Sequence, residues 1–181
     1  MEKLCGIDEA GRGPIAGPMT IAGVVLKSKI KGLQDSKKLT QKKREKLFDI
    51  IKENSYSHIV FVNNSSIDKK GLTLCIKESI LEIIKNIKAS TYLIDGNTTF
   101  EIPSLQCKIK ADETIQEVSA ASILAKVSRD RYMDTISSSY PLYNFSKHKG
   151  YGTKEHIETI KKYGYCNIHR LSFKIKSLNK F

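Results

Sequence analysis

Adjacent acids at the end of an apolar run, followed at once by glycines and an arginine, are the residues of this chain best suited to chemistry. They stand in GIDEAGRGPIAGP, where Asp8 and Glu9 lead into Gly11, Arg12 and Gly13. Glycine lacks the Cβ that would hold a ligand off the backbone, so this run sets carboxylates beside main chain that a phosphate or sugar can approach closely. It is not a Walker loop, because no GK[ST] follows, and Gly11, Gly13 and Gly17 give GxGxxxG where the dinucleotide fingerprint needs GxGxxG. Two further acids stand at element ends: Asp95 closes the apolar stretch TYLI and precedes Gly96, and Asp112 comes just before a predicted helix. Each has a plain explanation in isolation, namely a solvated strand end for Asp8 and Glu9, an Asp-Gly turn for Asp95 and a capping role for Asp112.

As a set, the four acids all fall where a strand or loop meets the next element, the positions from which side chains of separate strands converge. Four carboxylates suit Mg²⁺ or Mn²⁺, hard cations that prefer oxygen to imidazole or thiolate. Two such ions side by side activate a water and stabilise the leaving oxygen of an in-line phosphoryl displacement. Neighbouring residues on a pleated strand face opposite ways. Asp8 and Glu9 therefore point inward together only if the strand has already broken or a backbone carbonyl joins the coordination, and the sequence leaves both open.

Positioning these acids requires strands around the glycine loop. Residues 3–8 and 18–26 are apolar and rich in β-branched types, with Gly11, Gly13, Pro14 and Gly17 between them. Further strands are expected over 58–62 and 91–94, with a weaker one near 105–109. Helical spacing recurs at Leu47, Ile50 and Ile51, and again at Ile76, Ile80, Ile83, Ile84 and Ile87. Thr114 and Glu117 are a candidate capping box for a long helix expected through Val118, Ala121, Leu124 and Ala125. Its SAAS cluster, 119–122, is small enough for close approach to a neighbour. Thr153 caps another helix through Ile157 and Ile160 that ends at Gly164. Strands first, then strand and helix in alternation, imply an α/β fold with a central mixed sheet flanked by helices.

With 181 residues and no repeat or linker, residues 1–181 are expected to form a single domain. Lys and Arg number 31 against 19 acids, and the formal net charge of +12 favours an anionic partner such as nucleic acid. Cys5, Cys75, Cys107 and Cys166 lie far apart with no CxxC pair, which speaks against a zinc knuckle or a thioredoxin-type site and fits a reducing cytoplasm. No apolar run approaches the ~18 residues of a membrane span, and the N-terminus lacks a signal-peptide layout.

Six motifs, in order, resemble the ribonuclease HII family: DEAGRGPIAGP (8–18), DSKKL (35–39), LIDG (93–96), KAD (110–112) followed by SAASILAKVSRDR (119–131), HKGYGT (148–153) and HRLSF (169–173). The resemblance spans nearly the whole chain. It implies a ribonuclease H-like fold with a short C-terminal helical part, and a carboxylate set that maps onto Asp8, Glu9, Asp95 and Asp112 as metal ligands and catalytic residues. It implies that Gly11, Arg12 and Gly13 read the 2′-hydroxyl, the group that distinguishes RNA from DNA. Tyr151 would pack against the sugar of the following deoxynucleotide, and Lys37, with Lys38, would contact phosphate. Asp130 competes for the fourth acid but ranks behind Asp112, because the family's fourth carboxylate follows the KAD or KGD pattern. Asp130 also falls inside a helix, where a surface pair with Arg129 or Arg131 accounts for it. His148 and His169 lie in motifs but have no second His or Cys at ligand spacing, so local hydrogen bonding is expected of them.

Two departures bear on substrate grip more than on catalysis. Ala111 stands where many relatives have glycine, and the chain stops soon after HRLSF, where some members add a helical segment. Ribonuclease HI lacks the adjacent Asp-Glu pair, and the extra N-terminal domain of ribonuclease HIII has no room before Asp8. The expected activity is endonucleolytic hydrolysis 5′ to a ribonucleotide in an RNA/DNA hybrid or a DNA duplex, by two-metal-ion catalysis with Mg²⁺ or Mn²⁺, giving 3′-OH and 5′-phosphate ends. A monomer with no membrane contact is expected, and a replication-clamp contact is not readable from the sequence. The alternative is a catalytically silent basic protein that binds nucleic acid without metal.

Overall fold

The structure, a computed structural model, describes residues 3–33 and 39–175. Five strands form one mixed sheet in the order β3-β2-β1-β4-β5. Strand β1 (Leu4–Ala10) pairs antiparallel with β2 (Met19–Leu26), which pairs antiparallel with β3 (Ser55–Val62). On its other side β1 runs parallel to β4 (Thr91–Asp95), and β4 runs parallel to β5 (Leu105–Lys108). The expected strands are all present. β3 begins earlier than its apolar stretch suggests, because pairing with β2 extends as far as Leu26↔Ser55.

Alternation along β1 sends its residues to two different cores. Cys5 and Ile7 join Met19 and Ile21 under α3 (Leu72–Asn86), which contributes Ile76, Ile80 and Ile83 at helical spacing. The opposite face meets α4 (Gln116–Ser137), whose Ala120, Ala121 and Leu124 pack with Ala22, Val24 and Ile51 of α1 (Gln41–Glu53). Close approach of α4 depends on Gly6. A Cβ there would run into the backbone of Glu117 and Val118. The small SAAS residues therefore bring α4 down onto the central strand, as their size implied.

The capping box does not form. Ala111–Glu113 make a 3-10 turn that ends at Thr114, Ile115 takes the cap position of α4, and the Thr114 hydroxyl accepts from Lys108 Nζ at 3.2 Å. Lys110, left-handed at φ 58, turns the chain into that 3-10 segment and displaces Thr114 from the helix start. A short helix that the periodicity did not show, α2 (Asn64–Lys70), is capped by Asn63, whose side chain accepts from Ser66 N at 2.8 Å.

The C-terminal part wraps around the glycine loop. Phe145 of α5 (Phe145–His148), Ile160 of α6 (Lys154–Tyr163), Met133 and Ile168 bury Ile15 and Ala16 in a third core. Thr153 caps α6 as expected, and Gly164 ends it.

Gly6→Ala should lower unfolding stability by about 2 kcal/mol, since the new methyl meets backbone that cannot rotate away. Denaturant unfolding of both proteins checks this, and an unchanged midpoint would mean that α4 shifts freely.

Candidate active site

Asp8, Glu9 and Asp95 open onto one cleft of about 210 Å³, whose other walls include Arg44, Ser122, Lys126 and Tyr151. The parallel register Ile7↔Ile94 places the next pair, Asp8 and Asp95, level with each other at the C-terminal ends of adjacent strands. β1 is not broken at the acids: Asp8 lies opposite Ala22 and Glu9 opposite Ile21. Asp8 is on the α4 face with Ser122, and Glu9 is on the other face. Both reach the cleft because the strand ends immediately beyond them.

Asp8 is 7% exposed, and its Oδ1 accepts the Glu9 N–H at 2.8 Å. Burial, and next the charge of Glu9, push its pKa well above the usual carboxylate range, against the lowering effect of the Ser122 hydroxyl. Burial also raises Glu9, although Arg12 Nη1, 3.2 Å from Oε1, works against it. Asp95 Oδ1 accepts the Ala111 N–H at 2.8 Å, which ties β4 to the turn that carries Asp112. Asp112 is itself buried, at 3% exposure, with the Ser119 hydroxyl donating to its carbonyl. It is not among the residues that line the cleft. Among the described residues no three His, Cys, Asp or Glu side chains are grouped to hold a metal ion unaided. The donor set nonetheless fits a hard cation, because Asp8, Glu9 and Asp95 bring carboxylate oxygens to one cleft and Mg²⁺ keeps several waters in its shell.

The glycine loop is held from beneath by two buried arginines. Arg129 donates to the Pro18 and Ala16 carbonyls at 2.8 and 3.2 Å, and Arg170 donates to those of Gly11, Arg12 and Gly17. Gly11, at φ +93, is required there, since a Cβ would strike the Arg129 guanidinium. Gly13 is exposed, with open space around it, and the Arg12 side chain is 57% exposed. Ile15 and Ala16 N–H both donate to the Gly150 carbonyl, at 2.9 and 3.2 Å. The exposed ring of Tyr151 lies over the Arg129 guanidinium, 5.7 Å away. Loop and tyrosine therefore form one unit. Lys37 and Lys38 lie outside the described residues.

Residues 5–176 match the family model described as Ribonuclease HII. The chain belongs to the ribonuclease HII family. It is 62% identical to the ribonuclease HII of Aliarcobacter butzleri (strain RM4018), over 99% of this chain and 95% of that one. It is 52% identical to the ribonuclease HII of Sulfurovum sp. (strain NBC37-1), again over 99% and 95%. Among solved structures it resembles the ribonuclease in the PCNA:RNase HII complex from Archaeoglobus fulgidus, with TM-score 0.83 and 28% identity over 96% of both chains. The fold is therefore ribonuclease H-like, and the protein is a metal-dependent endonuclease that hydrolyses RNA in RNA/DNA hybrids.

Within this ribonuclease, several cleft residues escape a reading of the sequence. Lys126 and Arg44 bring cations to the carboxylate cleft, and Ser122 reaches Asp8 from α4. The signal for Lys126 and Ser122 was their spacing on one face of α4, and Arg44 had none beyond its charge. Asp130 does not form the expected surface pair with Arg129 or Arg131. It is 7% exposed and accepts from Lys126 Nζ at 2.7 Å, one turn earlier, while Arg131 pairs with Glu45.

The histidines do meet in space, although their spacing hid it. His148 Nε2 bonds the Tyr143 carbonyl at 2.8 Å while its Nδ1 accepts from Gly150 N at 3.2 Å. His156 bonds the Tyr151 carbonyl through Nδ1 at 2.9 Å, which leaves its Nε2 to accept from His169 Nε2 at 3.0 Å. His169 Nδ1 accepts from Cys166 N at 2.8 Å. These partners assign His148 and His156 neutral tautomers in which one more proton would face another N–H, whereas His169 Nδ1 also lies 3.1 Å from the Cys166 carbonyl.

Burial pushes His156 down to about 4 from 6.5, and His148 and His169 are lowered as well. Above pH 6.5 folded and unfolded His156 are both neutral and contribute nothing. Below it the unfolded ring binds a proton that the folded ring refuses until pH about 4, so stability should fall across that window. Chemical-shift titration should find the His156 ring still neutral at pH about 5.5; titration near its ordinary value would refute the network.

Proposed function

We propose that this ribonuclease hydrolyses the phosphodiester 5′ to a ribonucleotide, embedded in duplex DNA or within an RNA/DNA hybrid, leaving a 3′-hydroxyl and a 5′-phosphate. The observation that carries the proposal is the convergence, on one cleft, of Asp8 and Glu9 from β1 with Asp95 from β4, beside a loop with exposed backbone and a cationic rim. Asp8, Glu9, Asp95 and Asp112 would hold divalent cations, Mg²⁺ or Mn²⁺, with water and substrate oxygens completing the shells. Two bound ions would supply an activated water and stabilisation of the leaving oxygen.

The chain's own residues account for the selectivity. Gly11, Arg12 and Gly13 lie closest to a bound sugar and read its 2′-hydroxyl, where only a small side chain leaves the backbone approachable. Tyr151 offers its exposed face to the next deoxyribose, and Arg129 beneath the ring holds it in place. Lys126, fixed by Asp130, and Arg44 meet phosphates flanking the cut, a role that Lys37 would share. Residues 1–181 act as one catalytic unit and as a monomer in the cytoplasm; no helix among the described residues is long and apolar enough to cross a membrane. The Archaeoglobus fulgidus relative was solved in complex with PCNA, which supports a sliding-clamp contact for this chain too.

The test is cleavage of a labelled DNA duplex containing one ribonucleotide, with Mg²⁺, with Mn²⁺ and with a chelator. A metal-dependent cut just 5′ of the ribonucleotide is expected. Asp8→Asn and Asp95→Asn should each lower turnover by roughly a thousandfold or more while circular dichroism stays unchanged. Wild-type rates in both variants would sink the carboxylate assignment, and binding that falls with salt but never leads to a cut would indicate a silent binder. Tyr151→Ala should lose more activity on a single ribonucleotide than on a continuous hybrid; equal losses would remove Tyr151 from junction sensing. Arg12→Ala should weaken discrimination between ribose and deoxyribose, and unchanged discrimination would take Arg12 out of that role.

A further inference from the structure

Arg170 is 1% exposed, yet its guanidinium neither enters the cleft nor meets a carboxylate at ion-pair distance among the described residues. Instead its Nη2 donates to the Gly11 carbonyl at 2.7 Å, Nη1 to that of Arg12 at 3.0 Å and Nε to that of Gly17 at 3.0 Å. Burying a cation is unfavourable, and an apolar side chain in the same space would avoid that cost. The three bonds are therefore the clue to its role. A trans peptide is planar, with the carbonyl of one residue antiparallel to the N–H of the next. Drawing the Gly11 and Arg12 carbonyls inward points the Arg12 and Gly13 N–H groups outward, to the open side of the loop.

We propose that Arg170 is the positioning residue of the ribose-reading loop: its planar fork fixes which way the 11–13 backbone presents its donors, and thereby sets the preference for a 2′-hydroxyl. The proposal rests on the reading of residues 11–13 given above. Arg170 is itself held from behind. Its own N–H donates to the Ile15 carbonyl at 2.8 Å, and its guanidinium lies over the Phe173 ring. Asp68 of α2 accepts from Leu171 N, Ser172 N and the Ser172 hydroxyl at 2.9, 3.0 and 2.6 Å. Asn64, on the same helix, donates to the Asn167 and His169 carbonyls, both at 2.9 Å. The clasp thus runs from α2 through residues 167–172 to the loop. Arg129, the second buried cation, grips the loop's other end, and its Nη1 has no hydrogen-bond partner among the described residues. A lysine at 170 would keep the charge but could not serve three carbonyls in fixed directions.

The test compares wild type with Arg170→Lys by fluorescence anisotropy, in chelator so that no cleavage occurs. The two probes are a DNA duplex with one ribonucleotide and the same duplex without it. Affinity for the all-deoxy duplex should stay within about twofold while the ribonucleotide preference falls about tenfold, as expected for loss of aligned donors to one hydroxyl. A side chain that merely stabilises the fold would weaken both affinities together. A folded Arg170→Lys that keeps the wild-type preference would overturn the proposal. Should that variant fail to fold, Asp68→Ala decides, since Asp68 touches neither loop nor cleft: a preference about threefold lower is expected, and an unchanged one overturns the proposal. A wild type with no ribonucleotide preference would instead overturn the reading of residues 11–13 on which the proposal stands.

Discussion

Parallel pairing of β1 with β4 is the constraint on which the cleft depends. Antiparallel neighbours would put the ends of the two strands at opposite edges of the sheet; the parallel pair ends both at the same edge, with Asp8 and Asp95 level. Reaching β4 in that direction requires a long crossover, which the chain makes through β2, α1, β3, α2 and α3. The pairing is kept central by helices on both faces. On one of them the missing side chain of Gly6 lets α4 come near enough for Ser122 to touch Asp8.

Two sets of buried charge of opposite sign then lie on either side of a few residues of loop. Burial raises the carboxyl pKa of Asp8 and Glu9 and lowers that of the Arg129 and Arg170 guanidiniums, Arg170 to about 10. Left free to move, such groups would pair and cancel. They do not, because the arginines spend their donors on main-chain carbonyls of residues 11–18 and the acids are fixed at a strand end. Among the described residues only the exposed Arg12 bridges to Glu9, at 3.2 Å. The carboxylates therefore remain available to cations, and the loop stays rigid without drawing on them. The electrostatic separation follows directly from the local fold.

Much of this was legible in the sequence, and the reasons are local. Apolar runs marked four strands and, more weakly, β5, and the run DEAGRG marked the cleft, because both signals sit within a few consecutive residues. What escaped depended on contacts across the chain. The Thr114 capping box failed because a 3-10 turn, which has no strong sequence signature, occupied its place. The strand-alternation problem at Asp8 and Glu9 resolved through where the strand ends, not through a break. The histidines looked solitary at their spacing, yet α5, α6 and the 166–170 segment stack them together. Asp130 looked like a surface residue because a helical pattern alone does not say which face a long, doubly packed helix buries; α4 shows it buried against Lys126. Arg129 and Arg170 carry charge, and charge in a basic chain reads as solvated surface until the loop that they hold is seen.

The distance along the chain between the loop and its clasp has a consequence for the order of events during folding. Gly11 and the guanidinium that holds its carbonyl are 159 residues apart, so the contact closes a loop of nearly the whole chain. Such contacts form late, after the entropy of closing that loop has been offset by packing elsewhere. The carboxylates of β1 and β4 are in place once the sheet and α4 have assembled, whereas the loop beside them is held only when residues 168–170 have docked. The carboxylates and the loop beside them therefore reach their final arrangement at different stages of folding, the acids with the sheet and the loop with its distant clasp.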